Sequence, residues 1–393
     1  MCEAVGDGDG DGDGDGDGDG DGDGGEMNPL QRLWPEYQQA VWLDFIERDL
    51  LTGGGLARLV EEDGVRGVTS NPSIFQQAIE SGGVYDEAVG ELLGRNPEIE
   101  TLELYEALAI DDIRGAADIL RAVWDASDGD DGFVSLEVSP HLAHDTEGTV
   151  AQARRLWREV DRPNLMIKVP ATAEGIPAIE ELIADGINVN ATLMFSLADY
   201  EGVANAYLRG LAACAAPGRV ASVASFFVSR VDTKVDAALQ AIGSEEALGL
   251  RGKAAVANAK LAYRRFEQLF GGDAFAEQEA RGGRPQRPLW ASTSTKNPAY
   301  RDVIYVEELI GPQTVNTLPV ATLEAFRDHG RPRVSLTEDV DAAEGVFSGL
   351  KDVGVNLEKV TEELQIEGVA AFAASFDQLL ATLESARRVR APS

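Results

Sequence analysis

One lysine, Lys168, lies inside the apolar run LMIKVP at residues 165–170, which predicts a buried strand. Burying a charged ammonium costs several kcal/mol unless the group is paired or loses its proton. The neutral amine of a desolvated lysine can attack a carbonyl carbon and form a Schiff base. Lys168 is therefore our candidate nucleophile; the alternative is a structural lysine paired with Glu137 on a neighbouring strand.

Schiff-base chemistry needs groups that move protons, and two separated carboxylates, Glu137 and Asp44, end predicted strands. We expect Glu137, bridged through a water molecule to Thr192, to serve formation and breakdown of the imine. We expect Asp44 to take the proton from a substrate hydroxyl when a carbon–carbon bond breaks. A strand-end salt bridge is the alternative for Glu137, and a helix N-cap for Asp44. A Schiff base stabilises a carbanion by itself, so we expect no metal and no organic cofactor.

Cations and hydroxyls follow the sixth and seventh predicted strands. Arg230 and Lys296 end these strands, and serines lie nearby, including Ser225 and Ser292. In barrel folds this quadrant often binds phosphate, so we expect a phosphorylated small molecule as ligand. Rim salt bridges with an acidic surface are the alternative.

These side chains need a scaffold that brings strand ends together, and the sequence alternates strand and helix patterns from residue 41 onward. Eight short apolar segments are the predicted strands: 41–45, 67–70, 133–139, 165–171, 188–196, 220–230, 289–295 and 317–322. Helical patterns with start and stop signals lie at 54–63, 146–160, 174–185 and 298–310. The sequence therefore predicts an α/β fold, a (β/α)8 TIM barrel, with functional side chains at the C-terminal ends of its strands.

Two segments lie outside this repeat. Residues 1–26 carry eleven acids and no base, and residues 7–24 are nine Asp-Gly dipeptides, which predicts a disordered acidic tail. A calcium loop is the alternative, but Gly18 stands where such a loop needs glutamate. After residue 322 the pattern is wholly helical, with a long amphipathic stretch at 356–388. We predict one barrel domain over 27–393 with a C-terminal helical extension.

The composition of the chain limits which binding partners and which cellular location we expect. A net charge of −34 argues against nucleic acid, and the absence of a run of roughly 18 apolar residues argues against a membrane span. Two cysteines give neither a disulfide framework nor zinc spacing. His141 and His144 stand alone as metal candidates, so we interpret them as part of a loop near the substrate path. We expect a cytoplasmic protein, monomeric or homodimeric.

Seven motifs stand in order along the predicted barrel: WLDFI at 42–46, GVTSNPSIF at 67–75, SLEVSPHLAHDT at 135–146, IKVPAT at 167–172, GINVNATLMFS at 186–196, SFFVSR at 225–230 and ASTSTKNP at 291–298. Together they resemble the bacterial transaldolases of the pentose phosphate pathway, over about residues 28–388. The resemblance implies transfer of a dihydroxyacetone unit from sedoheptulose 7-phosphate to glyceraldehyde 3-phosphate, giving erythrose 4-phosphate and fructose 6-phosphate.

The resemblance also implies roles for matched residues. Lys168 matches the Schiff-base lysine, Asp44 the acid/base of bond cleavage, Glu137 the proton-transfer carboxylate and Thr192 a residue that holds the catalytic water.

Four further residues match substrate contacts. Asn71 and Asn190 match the asparagines that hold the dihydroxyacetone carbanion, Ser225 a hydroxyl-binding residue and Arg230 the phosphate arginine. The chain departs from the family at strand seven, where Lys296 stands near the place of an arginine. We infer that it supplies the second charge, as a point charge without the arginine fork.

Three other readings stay open. A simple class I aldolase, of a kind that releases free dihydroxyacetone or of the deoxyribose-phosphate type, has the same fold. A non-catalytic barrel scaffold would lack intact catalytic groups, and Asp44, Glu137 and Lys168 are all present. A calcium-binding protein would depend on the tail.

Overall fold

Eight parallel strands close into a barrel in chain order, with β1 paired to β8. The computed structural model describes residues 27–80 and 83–390, so the predicted tail lies outside the described residues. The strands are β1 (Gln39–Leu43), β2 (Val65–Val68), β3 (Phe133–Glu137), β4 (Leu165–Pro170), β5 (Val189–Met194), β6 (Ser222–Phe227), β7 (Arg287–Ala291) and β8 (Thr314–Leu318). The predicted (β/α)8 architecture is confirmed.

Helices surround the barrel, and several lie outside the simple repeat. In the first half they are α1 (Pro29–Tyr37), α2 (Arg48–Thr52), α3 (Gly55–Asp63), α4 (Pro72–Glu80), α5 (Asp86–Arg95), α6 (Thr101–Ile119), α7 (Arg121–Ala126), α8 (Thr146–Val160) and α9 (Gly175–Ala184). In the second half they are α10 (Leu197–Ala213), α11 (Ser229–Ile242), α12 (Glu245–Leu248), α13 (Ala254–Phe270), α14 (Asp273–Glu279), α15 (Ile304–Glu307), α16 (Val320–His329), α17 (Val340–Asp352) and α18 (Leu357–Arg390).

Local signals explain where several helices begin and end. Asp145 caps α8, its carboxylate accepting from the Gly148 amide at 2.9 Å. Gly64 ends α3 at a φ of 68°, in the left-handed region that glycine adopts without steric cost. All residues of β4 and β5 are buried, which accounts for their continuous apolar sequences.

Two predicted elements were misplaced. The eighth strand is Thr314–Leu318, and the second half of the predicted segment 317–322 belongs to α16. Pro319 ends the strand because it has no N–H to donate, and it stands at the N-cap of α16. The predicted helix 298–310 is only the short α15, because the Thr295 hydroxyl donates to the carbonyls of Arg301 and Asp302 and stabilises a loop instead.

The stretch 231–285, which had no interpretation from sequence, continues α11 and contains α12, α13 and α14. Asn258 of α13 donates its amide to the Phe195 carbonyl at 2.8 Å, just after β5. Lys260 on the same helix donates to the Glu338 carbonyl at 2.9 Å. The inserted helices therefore connect a strand end of the barrel to the C-terminal part of the chain.

The predicted C-terminal helices pack on the barrel, and the longest of them, α18, contacts α4, α6 and α11. Within the described residues, Leu357–Arg388 is the one segment long and apolar enough to cross a membrane by length and composition. Polar residues interrupt this segment, so it contains no unbroken run of roughly 18 apolar residues. Its side chains at Phe372, Phe376, Leu379 and Leu383 are buried against the protein, which accounts for its apolar stripe.

Candidate active site

Lys168 stands in the middle of three adjacent strands, at the C-terminal half of β4. Its Cα pairs in register with Glu137 on β3 and with Asn190 on β5. The lysine side chain is 6% exposed, and its Nζ donates to the Ser70 carbonyl at 3.1 Å. The strand pattern thus places a lysine at the barrel mouth with little access to water.

Glu137 is the partner of this lysine, with Oε2 3.5 Å from Nζ. Burial raises the pKa of Glu137 to about 7; Lys168 opposes this shift, and the nearby Asp44 adds to it. The pairing that the structural alternative predicted is present. The same carboxyl is also poised to exchange protons near neutral pH.

Asp44 follows β1 and faces the same space. Thr69 donates its hydroxyl to Oδ1 at 2.8 Å, and Thr69 in turn lies 2.7 Å from the Thr317 hydroxyl. Burial raises the pKa of Asp44. The charge of Lys168 and the hydrogen bond from Thr69 lower it, and so do the charges of Arg230 and Lys296. The N-cap alternative is wrong, because Glu47 holds the N-cap position of α2.

Thr192 lies on β5, is fully buried and pairs in register with Pro170. Within the described residues, neither its Oγ1 nor Oε2 of Glu137 has a hydrogen-bond partner. Buried polar atoms in proteins are generally satisfied by protein or by water. These two oxygens therefore suit the water-mediated contact expected between Glu137 and Thr192, although that contact stays a prediction.

Asn190 and Ser225 form a hydrogen-bonded pair on β5 and β6. The Ser225 hydroxyl donates to Oδ1 of Asn190 at 2.7 Å, and Nδ2 of Asn190 donates to the Ser135 hydroxyl at 3.0 Å. Ser225 lines the cavity described below, whereas Asn190 is fully buried and lies outside its lining. Asn71 lines it too; its Oδ1 accepts from the Ile74 amide and so caps α4, which leaves its NH2 group for a ligand.

A cavity of about 300 Å³ collects most of the predicted residues at the C-terminal ends of the strands. Predicted site residues in its lining are Asp44, Asn71, Lys168, Ser225, Arg230, Ser292 and Lys296. Glu137, Thr192 and Asn190 lie outside this lining, and Glu137 and Asn190 pair in register with Lys168. The space is large enough for a small polar metabolite.

The cationic side of the cavity lies at β6 and β7. Arg230 is on the first turn of α11, and burial lowers its pKa, an effect opposed by Asp44. Ser292, at a left-handed φ of 55°, hydrogen-bonds Ser229 at 3.0 Å, and Lys296 donates to Ser294 at 2.7 Å. In the described chain neither Arg230 nor Lys296 forms an ion pair, so the rim salt bridges of the alternative reading are not found there.

The two histidines that the sequence places three residues apart bond different acidic side chains. His141 bonds Asp377 of α18 at 2.7 Å, and His144 bonds Glu174 at 3.0 Å, all of them exposed. Over residues 27–80 and 83–390, no group of three or more His, Cys, Asp or Glu side chains could hold a metal.

Some lining residues carried no individual signal in the sequence. Phe372 of α18 borders the cavity, and its ring centroid lies 5.8 Å from Nζ of Lys168. Its helical spacing indicates a buried face without showing what that face covers. Thr69 and Thr317 are ordinary strand-end hydroxyls, and only the closed barrel brings them to Asp44.

The structure is a closed parallel barrel with a buried lysine, two carboxyl groups of raised pKa and two cations at its mouth. These features define a (β/α)8-barrel enzyme. The sequence model of the transaldolase/fructose-6-phosphate aldolase family matches residues 41–383, and the chain belongs to that family.

Curated relatives match nearly the whole described chain. A protein of Thiobacillus denitrificans named transaldolase is 53% identical over 349 residues, 88% of this chain and 97% of its own. Transaldolases of Frankia alni and Mycolicibacterium smegmatis are 51% and 50% identical, covering 91% and 87% of this chain and 96% and 93% of their own.

Proposed function

We propose that this enzyme transfers a dihydroxyacetone unit from sedoheptulose 7-phosphate to glyceraldehyde 3-phosphate through a Schiff base on Lys168, in the pentose phosphate pathway of the cytoplasm. The observation that carries the proposal is the buried Lys168–Glu137 pair, with Lys168 in the lining of a cavity that Asp44, Arg230 and Lys296 also line. We expect sugar phosphates as its partners, without nucleic acid or membrane.

The chemistry begins when the neutral Lys168 amine attacks the ketone carbon, C2, of the donor. Glu137, through a water molecule held with Thr192, gives a proton to the departing hydroxyl, and loss of water leaves an iminium. Asp44 then takes the proton of the C4 hydroxyl, the C3–C4 bond breaks, and erythrose 4-phosphate leaves. The electron pair stays on C3 as an enamine conjugated to nitrogen.

The second half reverses these steps with another aldehyde. The enamine carbon attacks the aldehyde carbon of glyceraldehyde 3-phosphate, and Asp44 returns its proton to the new alkoxide. Water then hydrolyses the iminium, so that fructose 6-phosphate leaves and Lys168 recovers its amine. Arg230 and Lys296 hold the phosphate of donor and acceptor in turn, which positions the reacting carbons.

A simple aldolase is the second candidate, because the family's description includes fructose-6-phosphate aldolases. In that case the enamine is protonated and free dihydroxyacetone leaves.

One experiment addresses both candidates. The protein is incubated with fructose 6-phosphate, reduced with borohydride and analysed by peptide mass. We expect a dihydroxyacetone-sized adduct on the peptide containing Lys168, and transfer when erythrose 4-phosphate is added. A folded protein that gives no adduct would contradict the proposal and favour a non-catalytic barrel; an adduct with release alone would favour the aldolase.

A further inference from the structure

Helix α18 lies across the barrel mouth with one face toward the site. Its Gln365 amide donates to the carbonyls of Ala171 and Leu193 at 3.0 and 3.2 Å, at the ends of β4 and β5. A Cβ at Gly368 would lie 3.0 Å from the end of the Leu193 side chain, so the helix backbone passes close to β5 at this point. The helix is therefore seated directly on the strand ends.

The next residues along this face reach the candidate active site. Phe372 is 5% exposed, and its ring centroid lies 5.8 Å from Nζ of Lys168. One turn further, Phe376 packs edge-on against Tyr105 with centroids 5.4 Å apart. Contacts of Gln365 before Phe372 and of Phe376 after it therefore fix the helix, and the helix holds the Phe372 ring near Lys168.

Phe372 differs in chemistry from most of the side chains that line the cavity. Most side chains that line the cavity are polar, and hydroxyl, amide or charged groups can bind water or pass protons. A phenyl ring can do neither, and it occupies the side of Lys168 that α18 covers. Removing the ring would open that side to solvent beside the amine.

We propose that Phe372 is a specificity-determining residue, which keeps water from the carbanion on Lys168 and so favours transfer over release. This inference rests on the proposed function. In release, the enamine carbon takes a proton from water, hydroxide or water adds to C2, and the C–N bond breaks, which frees dihydroxyacetone and the Lys168 amine. In transfer, the same carbon attacks the acceptor aldehyde. Keeping bulk water away slows protonation of the enamine carbon, whereas attack of that carbon on the aldehyde consumes no water. The water that later hydrolyses the product iminium is the one expected between Glu137 and Thr192.

The test measures the ratio of two rates in each purified variant: release of free dihydroxyacetone from fructose 6-phosphate without acceptor, and transfer to erythrose 4-phosphate or glyceraldehyde 3-phosphate. The variants are Phe372→Ala and Phe372→Leu, and the matched control is Ile366→Ala, on the same helix but 65% exposed. We expect Phe372→Ala to raise the release-to-transfer ratio about 10-fold. Phe372→Leu should raise it less and Ile366→Ala not at all.

A ratio that stays at the wild-type value while both rates fall together would overturn the inference, because a ring that only packs the helix lowers both rates equally. Loss of folded protein alters both rates but not their ratio, and if Phe372→Ala does not fold, the ratio of Phe372→Leu decides. A wild-type protein without adduct or transfer would instead overturn the proposed function itself.

Discussion

Nζ of Lys168 and Oε2 of Glu137 lie 3.5 Å apart, and only 6% of each side chain is exposed. They sit in register on neighbouring strands, and burial raises the pKa of Glu137 to about 7 in spite of the lysine. A carboxyl that changes charge near neutral pH therefore stands beside an amine that must lose a proton before it can attack a carbonyl.

Replacing Lys168 by arginine should leave a folded barrel without activity, since a guanidinium keeps its charge and cannot attack. We expect turnover to fall at least about 1,000-fold and the borohydride adduct to disappear. The control is Lys359→Arg, because the side chain of Lys359 is 71% exposed on α18. A Lys168→Arg enzyme that kept a tenth of wild-type turnover would show that another group is the nucleophile.

Asp44→Ala should separate imine formation from bond cleavage. Lys168 and Glu137 remain, so the variant should still give the trapped adduct with fructose 6-phosphate, now at the full mass of the hexose phosphate. Cleavage should fall by at least about 100-fold, the usual contribution of a positioned base. If no substrate can be trapped on a folded Asp44→Ala protein, Asp44 has a structural role instead.

Glu137 should titrate near pH 7, which carbon-13 NMR of glutamate-labelled protein can measure. Its folded pKa is raised, so the group is protonated below about 7 and charged above it. The resonance should vanish in Glu137→Gln. Lys168→Met should move the pKa up, because it removes a stabilising cation, and Asp44→Asn should move it down. A pKa that falls in Lys168→Met or rises in Asp44→Asn would contradict the assigned causes.

Arg230→Met should weaken the binding of phosphorylated substrates specifically. A charge-assisted hydrogen bond contributes about 2 kcal/mol, which corresponds to a rise in KM for fructose 6-phosphate of about 30-fold. The exposed Lys296 should contribute less, about 3-fold in Lys296→Met. Unphosphorylated fructose as donor is the control substrate. An equal loss with both sugars would place Arg230 outside phosphate recognition.

The barrel and the centre of the site were predictable because their signals are local. Lys168 is a lone charge in an apolar strand, and Glu137 and Asn190 belong to the strands predicted on either side of it, where the structure pairs both with the lysine. Strand β8 was harder, since the buried polar residues Asn316 and Thr317 weaken its apolar pattern while the segment after Pro319 mimics a strand.

The position of α18 over the site was not predictable from the sequence, because it depends on contacts between distant parts of the chain. The spacing of Leu364, Phe372 and Phe376 indicates a helix with a buried face, which the structure has. Nothing in that spacing says that the face covers Lys168 rather than an outer helix. The side chain of Gln365, which seats the helix on two strand ends, looks like any surface glutamine.

The covering of Lys168 by α18 has a consequence for the order of biosynthesis. All eight strands, the lysine and both carboxyls precede residue 319, whereas α18 begins at Leu357. A ribosome adding about 5–20 residues per second completes the barrel a few seconds before the helix that closes it. Lys168 therefore lacks its covering by α18 until the last part of the chain has been synthesised.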